Sequence, residues 1–391
     1  MTHTCQLHRR IEQKLEDRRQ KNLHRQVNTF QQNSAGLIDR SGQHFINFSS
    51  NDYLGLASEP ALVNAWQEGL TLYGAGSTAS PLVTGFSKPH EELEAALSDW
   101  LGFDRAILFS SGFSANQAVL FSLLEKNDLL IQDKLNHASL MEAGMLSEAK
   151  MKRFQHNDVE KLRTALMSDN TSAAKLVVTE GVFSMDGDLA PLADIHPICR
   201  QQKAWLMVDD AHGVGVLGNE GRGSCDNAGI KPDILIVTFG KAFGMMGAAV
   251  LCSQDLHDYL TQFARHYVYS TAMPPAQAHA LLHALSAIRT QSWRREKLAT
   301  LSEVFHEVLD DVFGIVKTRT PIKPVIIGDV EKMQGIASSL KSHGFWTGAI
   351  RPPTVPVNSA RLRATLSVNH CEKQVREFAS TLRHLLTAEE V

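Results

Sequence analysis

Through the middle of the chain, short apolar runs alternate with stretches of helical period. The runs are Arg105 to Ser110, Asp128 to Gln132, Lys175 to Thr179, Ala204 to Val208 and Ile234 to Thr238. Apolar strands alternating with helices imply a mostly parallel sheet covered on both faces. Upstream, Leu7, Ile11 and Leu15 recur every four residues and predict an exposed N-terminal helix from Met1 to about Arg25 that packs onto something larger. His44 to Phe48 reads as a strand, Asn51 to Gly55 as a polar turn carrying one aromatic, and Pro89 to Leu101 as a helix with Leu93, Ala96, Leu97 and Trp100 on one face. After Met273-Pro274-Pro275 come a long helical stretch to about Asp310, a strand at Pro324 to Ile327, a helix, a strand at Phe345 to Ile350 and a final helix. The expected class is α/β: an N-terminal helical segment over residues 1–43, a large sheet domain wrapped by helices over 44–280, and a small α+β domain over 281–391.

Composition narrows the functional classes. The 391 residues are 43% apolar and 21% charged with a formal charge of -3, which is ordinary for a globular protein and argues against disorder. No block of like charge suggests nucleic acid as a partner, because the basic stretch from Arg18 to Arg25 is interleaved with Glu12, Glu16 and Asp17 as on a solvated helix. Cys5, Cys199, Cys225, Cys252 and Cys371 are odd in number and lack C-x-x-C spacing, so neither a disulfide framework nor a metal site is expected and a reducing compartment fits. With no signal peptide or membrane span in the pattern, the expectation is cytoplasm and no membrane.

Candidate chemistry gathers just after the apolar runs, where open α/β sheets bind their ligands. Ser110-Ser111-Gly112-Phe113-Ser114 opens a helix whose free N–H groups suit a phosphate. Glu180 to Gly187 sets a hydroxyl, Ser184, and a carboxylate in a glycine-bounded loop, although turn chemistry alone would explain it. Asp209, Asp210 and His212 follow Val208, with a structural salt bridge as the alternative. Thr238-Phe239-Gly240-Lys241 holds a lone lysine beside apolar side chains, a setting that turns an amine into a nucleophile toward carbonyls. The four loops together meet the needs of pyridoxal phosphate: a lysine for its aldehyde, donors for its phosphate and an acid for its pyridine nitrogen. Gly213 to Gly218 matches the dinucleotide fingerprint, but the glycine-rich Asn219 to Ser224 that follows does not start the required helix.

The strings Asn47 to Leu56, Val208 to Gly213 and Thr238 to Lys241 resemble the α-oxoamine synthases, and the likeness extends over nearly the whole chain. Thr179 to Gly187 and Ala349 to Pro356 are similar to the branch serving biotin synthesis. The resemblance implies a fold-type-I homodimer that joins L-alanine to a pimeloyl thioester, on coenzyme A or acyl carrier protein, with loss of CO2. By the same likeness, Lys241 would bind the cofactor and move protons, Asp209 would pair with the pyridine nitrogen, and His137 would stack on the ring and meet substrate. Ser184 and His212 would meet the phenolic oxygen; Gly112, Phe113 and Thr238 would hold the phosphate end. Asn51 and Arg363 would hold the amino-acid carboxylate, Thr354 and Arg25 would contact substrate, and Ser270 and Thr271 would reach across the dimer. Gly76 to Leu82 lacks the glycine pair and arginine found in many relatives. A sister enzyme using glycine or serine with another acyl chain is the nearest alternative, and a non-catalytic partner subunit is the alternative of a different class.

Overall fold

A computed structural model describes residues 5–21, 23–33, 36–168 and 173–387. Its strands in chain order are β1 (Phe30–Asn33), β2 (Gly36–Asp39), β3 (His44–Phe48), β4 (Arg105–Phe109), β5 (Leu129–Asp133), β6 (Lys150–Phe154) and β7 (Lys175–Glu180). They continue with β8 (Trp205–Asp209), β9 (Ile234–Thr238), β10 (Ala248–Cys252), β11 (Ile322–Gly328), β12 (Phe345–Ile350) and β13 (Ala360–Thr365). The large sheet has the order β4-β10-β9-β8-β7-β5-β6. Strands β9, β8, β7, β5 and β6 are parallel, while β10 is antiparallel to both its neighbours.

Alternation along each strand feeds two separate cores, because successive side chains leave a sheet on opposite faces. Val177, Leu206, Val208 and Leu235 join the helices Lys88–Leu101, Leu192–Gln201 and Pro275–Thr290 on one face. Leu176, Val178, Met207 and Ile236 meet the helices Gly112–Leu123, Ala138–Leu146 and Gln254–Phe263 on the other. Glu180 and Asp209, register partners at the ends of β7 and β8, continue the second face and turn toward the helix Gly112–Leu123.

The second sheet has the order β1-β2-β3-β12-β13-β11. Here the structure differs from the predicted boundaries. His44–Phe48, expected to open the large domain, pairs in parallel with β12, since Phe48 is buried against Phe378 at 4.1 Å and His370 at 4.3 Å between ring centres. The boundary at 280/281 falls inside the helix Pro275–Thr290, which packs on the helices Pro60–Tyr73 and Lys88–Leu101 of the large unit.

The N-terminal helix spans Gln6–Gln20, and its first predicted residues lie outside the described ones. Leu7, Ile11 and Leu15 are exposed on it, so nothing among the described residues covers the stripe. After Gly218 the chain makes only a three-residue turn of helix, Asn219–Gly221, so the glycine fingerprint heads no dinucleotide-type helix. No helix among the described residues is long and apolar enough to cross a membrane.

Candidate active site

The carboxyl ends of the parallel strands open into a cavity of about 240 Å³. Asn51, Gly112, Phe113, His137, Asp209, His212, Thr238 and Lys241 all line it, so eight residues predicted from separate loops meet in one place. Ser111 caps the helix Gly112–Leu123, accepting from the Ser114 N–H at 3.1 Å, while the N–H groups of Gly112 and Phe113 at the cavity have no acceptor within the helix. Helix and strand approach closely there: a Cβ on Gly112 would lie 2.6 Å from Thr238 Cγ2. Gly112→Ala is expected to destabilise the protein by about 1–3 kcal/mol through this overpacking, read as a lower melting temperature.

Asp209 is buried and held from two sides. Asn116 Nδ2 donates to its Oδ2 at 2.7 Å, and the Ala211 N–H donates to its Oδ1 at 3.1 Å. Its neighbour across the strands, Glu180, is buried with Oε1 unpartnered. Burial and the nearby Asp209 push the Glu180 carboxyl well above its ordinary range. Two adjacent carboxyls thus have different characters, one held by donors and one favouring the neutral acid.

Lys241 Nζ lies 3.4 Å from Thr238 Oγ1. Desolvation lowers its pKa, against the opposing pull of Asp209 and Glu180. Desolvation also lowers His137, with Asp209 opposing and Lys241 assisting. His212 is held well below its usual value by burial and by the cations Lys241 and Arg363. The Tyr53 hydroxyl fixes its ring, 2.7 Å from Nδ1.

The other predicted residues lie outside the cavity lining. Arg363, on β13, donates from Nη1 to Asn51 Oδ1 at 3.1 Å and from Nε to the Ser184 carbonyl at 2.5 Å. Arg25 and Thr354 are brought together at 3.3 Å although 329 residues separate them. Ser270 and Thr271 line a different depression with Phe86 and His90. Ser77, in the loop that departs from many relatives, anchors that region by donating to the Met273 carbonyl at 2.6 Å. The sequence pattern alone gives Asn116, Glu180 and Tyr53 no role. The available signals are an asparagine one turn into a mostly apolar helix and an acid closing a buried strand.

A profile of the family described as Aminotransferase class I and II matches residues 43–382. An 8-amino-7-oxononanoate synthase of Vibrio parahaemolyticus is 60% identical over 379 residues, covering 97% of this chain and 98% of that one. The chain belongs to this family, among the 8-amino-7-oxononanoate synthases. It is therefore an enzyme, an acyltransferase dependent on pyridoxal phosphate. Among solved structures, the Francisella tularensis 8-amino-7-oxononanoate synthase superposes with a TM-score of 0.78 at 30% identity, covering 89% of this chain and 99% of that one. A serine palmitoyltransferase variant from S. paucimobilis, solved with PLP joined to myriocin, gives 0.90 at 26% identity, covering 97% of each chain.

The cavity suits that cofactor on its own chemistry. It offers an amine of lowered pKa, a pinned carboxylate, a helix start that carries no side chain because of Gly112, and a carboxyl oxygen and an amide oxygen, those of Glu180 and Asn116, buried without partners.

Proposed function

We propose that the chain condenses L-alanine with a pimeloyl thioester, on coenzyme A or acyl carrier protein, giving 8-amino-7-oxononanoate, CO2 and the free thiol carrier. The observation that carries this reading is the meeting of Lys241, Asp209, His137 and His212 in one cavity whose edge holds the Arg363–Asn51 pair. When bound, pyridoxal phosphate condenses with amines through its aldehyde and accepts the electron pair left at an amino acid's α carbon.

The protein's own groups do the rest. Asp209 is the partner of the pyridine nitrogen, kept from rotating by Asn116 and the Ala211 N–H. Gly112, Phe113 and Thr238 hold the phosphate end, where the helix dipole favours an anion. His137, largely neutral, offers a flat ring to stack and meets substrate; Ser184 and His212 serve the phenolic oxygen. Arg363, steered by Asn51 and the Ser184 carbonyl, takes the alanine carboxylate with its planar fork of donors. Lys241 Nζ holds the cofactor and then takes the proton from the α carbon, a task its lowered pKa suits. Arg25 and Thr354 meet the acyl substrate.

Two copies complete the site in this reading, with Ser270 and Thr271 reaching the partner's cavity, and the enzyme works in the cytoplasm. The test is mass spectrometry of products from alanine, glycine and serine, each offered with a ladder of acyl thioesters. Alanine with the pimeloyl thioester is expected to give the dominant product. A product from glycine or serine but none from alanine would overturn the substrate assignment.

A further inference from the structure

Between β7 and the helix Leu192–Gln201 the chain makes a tight hairpin. Val182 pairs with Leu189, the Phe183 N–H donates to the Asp188 carbonyl at 3.0 Å, and the Gly187 N–H donates to the Phe183 carbonyl at 2.8 Å. Ser184, Met185 and Asp186 form its tip, which lies between the two sheets.

The second sheet grips the tip. Thr320 Oγ1 donates to the Gly187 carbonyl at 2.8 Å, Arg361 pairs with Asp186, and Arg363 Nε donates to the Ser184 carbonyl. Gly187 sits at φ +67°, and a Cβ there would fall 2.8 Å from the Ile322 carbonyl oxygen, so the approach leaves no room for a side chain.

The large sheet grips the base through one histidine just past β6. His156 Nδ1 lies 3.0 Å from Asp133 Oδ1 and Nε2 lies 2.8 Å from Asp188 Oδ2. Asp133 closes the end of β5 and is fully buried, with Oδ2 accepting from the Asn157 N–H at 2.9 Å. Asn157 Nδ2 reaches Asp188 Oδ2 at 2.8 Å and the Leu189 carbonyl at 3.2 Å. Phe183 packs edge-on to the imidazole, with ring centres 4.4 Å apart.

A neutral imidazole donates from one nitrogen only, so it would leave one carboxylate facing a lone pair; an imidazolium serves both. Burial opposes that charge, but the hydrogen bonds to Asp133 and Asp188 carry the His156 pKa up to about 10. None of the three side chains lines the cavity that holds Lys241.

We propose that Asp133, His156 and Asp188 form a positioning device: they tie the base of the hairpin to the large sheet, so that the Ser184 carbonyl at its tip aims Arg363 at the amino acid's carboxylate. This rests on the reading of Arg363 as the carboxylate anchor. The device couples the ends of β5 and β7 to β13 through a single short hairpin, and His156 acts through Arg363 rather than on substrate.

The test uses the full-length holoenzyme carrying His156→Gln, with Asp188→Asn as a milder variant that keeps the Asp133–His156 pair, and Arg363→Lys as a control. His156→Gln is expected to raise the alanine KM roughly tenfold or more, since small misplacements of a positioning group have large effects. The KM for the thioester should stay at its wild-type value. Amide hydrogen exchange across residues 181–189 of the substrate-free protein should accelerate, and Asp188→Asn should move both readouts the same way by less. Wild-type alanine KM in both hairpin variants, with a raised value in Arg363→Lys, overturns the proposal and leaves the anchor reading standing. Faster exchange without a change in alanine KM overturns it as well, because the hairpin then moves without moving Arg363. An unchanged alanine KM in Arg363→Lys removes the anchor reading, and the proposal with it.

Discussion

Lys241→Ala is expected to lower kcat by roughly four orders of magnitude while the protein stays folded, because one side chain supplies both the covalent attachment and the proton transfer. The fold should survive. Lys241 makes one long hydrogen bond, 3.4 Å to Thr238, and truncating a side chain with so few ties changes stability by about 1–2 kcal/mol at most. Among the described residues no other lysine lines the cavity, so no neighbour there can substitute. Borohydride reduction of wild-type holoprotein should fix the cofactor on the peptide containing Lys241, and the variant should take up no label there. A small amine added to the variant should restore part of the proton transfer without restoring the attachment, which separates the two tasks. Turnover within an order of magnitude of wild type, or label on another peptide, would remove Lys241 from its place in the reaction.

Which parts of this arrangement were legible in sequence follows from what each strand buries. Ile234–Thr238 is buried at all five positions and reads directly as an apolar run, with the bounds the pattern predicts. Lys150–Phe154 escapes notice because only Phe154 is buried on that edge strand, so its Lys-Met-Lys-Arg stretch carries no apolar signal. Ala360–Thr365 escapes for the opposite reason: all six positions are buried, but two are arginines whose partners, Asp186 and the Ser184 carbonyl, arrive from a hairpin about 175 residues earlier. Local pattern does not carry such pairings. The same holds for β3, whose partner β12 lies some 300 residues downstream; the strand itself was readable, but the sheet it joins was not.

The candidate site was more legible than the fold around it, since ligands in open α/β sheets collect at the carboxyl ends of strands and those ends can be counted along the chain. That rule points to Asp209, His212, Thr238 and Lys241 without reference to any relative. It does not reveal the supporting groups. Asn116 matters because the helix Gly112–Leu123 sets it above Asp209, and Tyr53 because its turn brings it 2.7 Å from a histidine 159 residues away. His156 and Arg361 act through the hairpin, and nothing in their local sequence marks them.

Asp209→Asn is the second change with a large expected effect, and its value lies in how little it should disturb the structure. Two donors, Asn116 Nδ2 and the Ala211 N–H, face the carboxylate, and an amide offers only one acceptor. The mismatch can be absorbed. Asn116 Oδ1 is unpartnered, so a flip of that side chain presents an acceptor to the new amide. What the substitution removes is therefore the negative charge. Glu180 does not replace it, because burial and its unpartnered oxygen favour the neutral acid. Without a carboxylate opposite it, the pyridine nitrogen is less well held in its protonated form, and exchange of the alanine α proton with solvent deuterium is expected to slow by roughly 10²–10³-fold, the scale on which a lost preorganised electrostatic partner is felt. Melting temperature and the amount of cofactor retained should change little by comparison. Proton NMR of alanine incubated with each protein measures the exchange directly; an undiminished rate in a folded, cofactor-loaded Asp209→Asn variant would mean that the charge at the end of β8 plays no part in labilising the α proton.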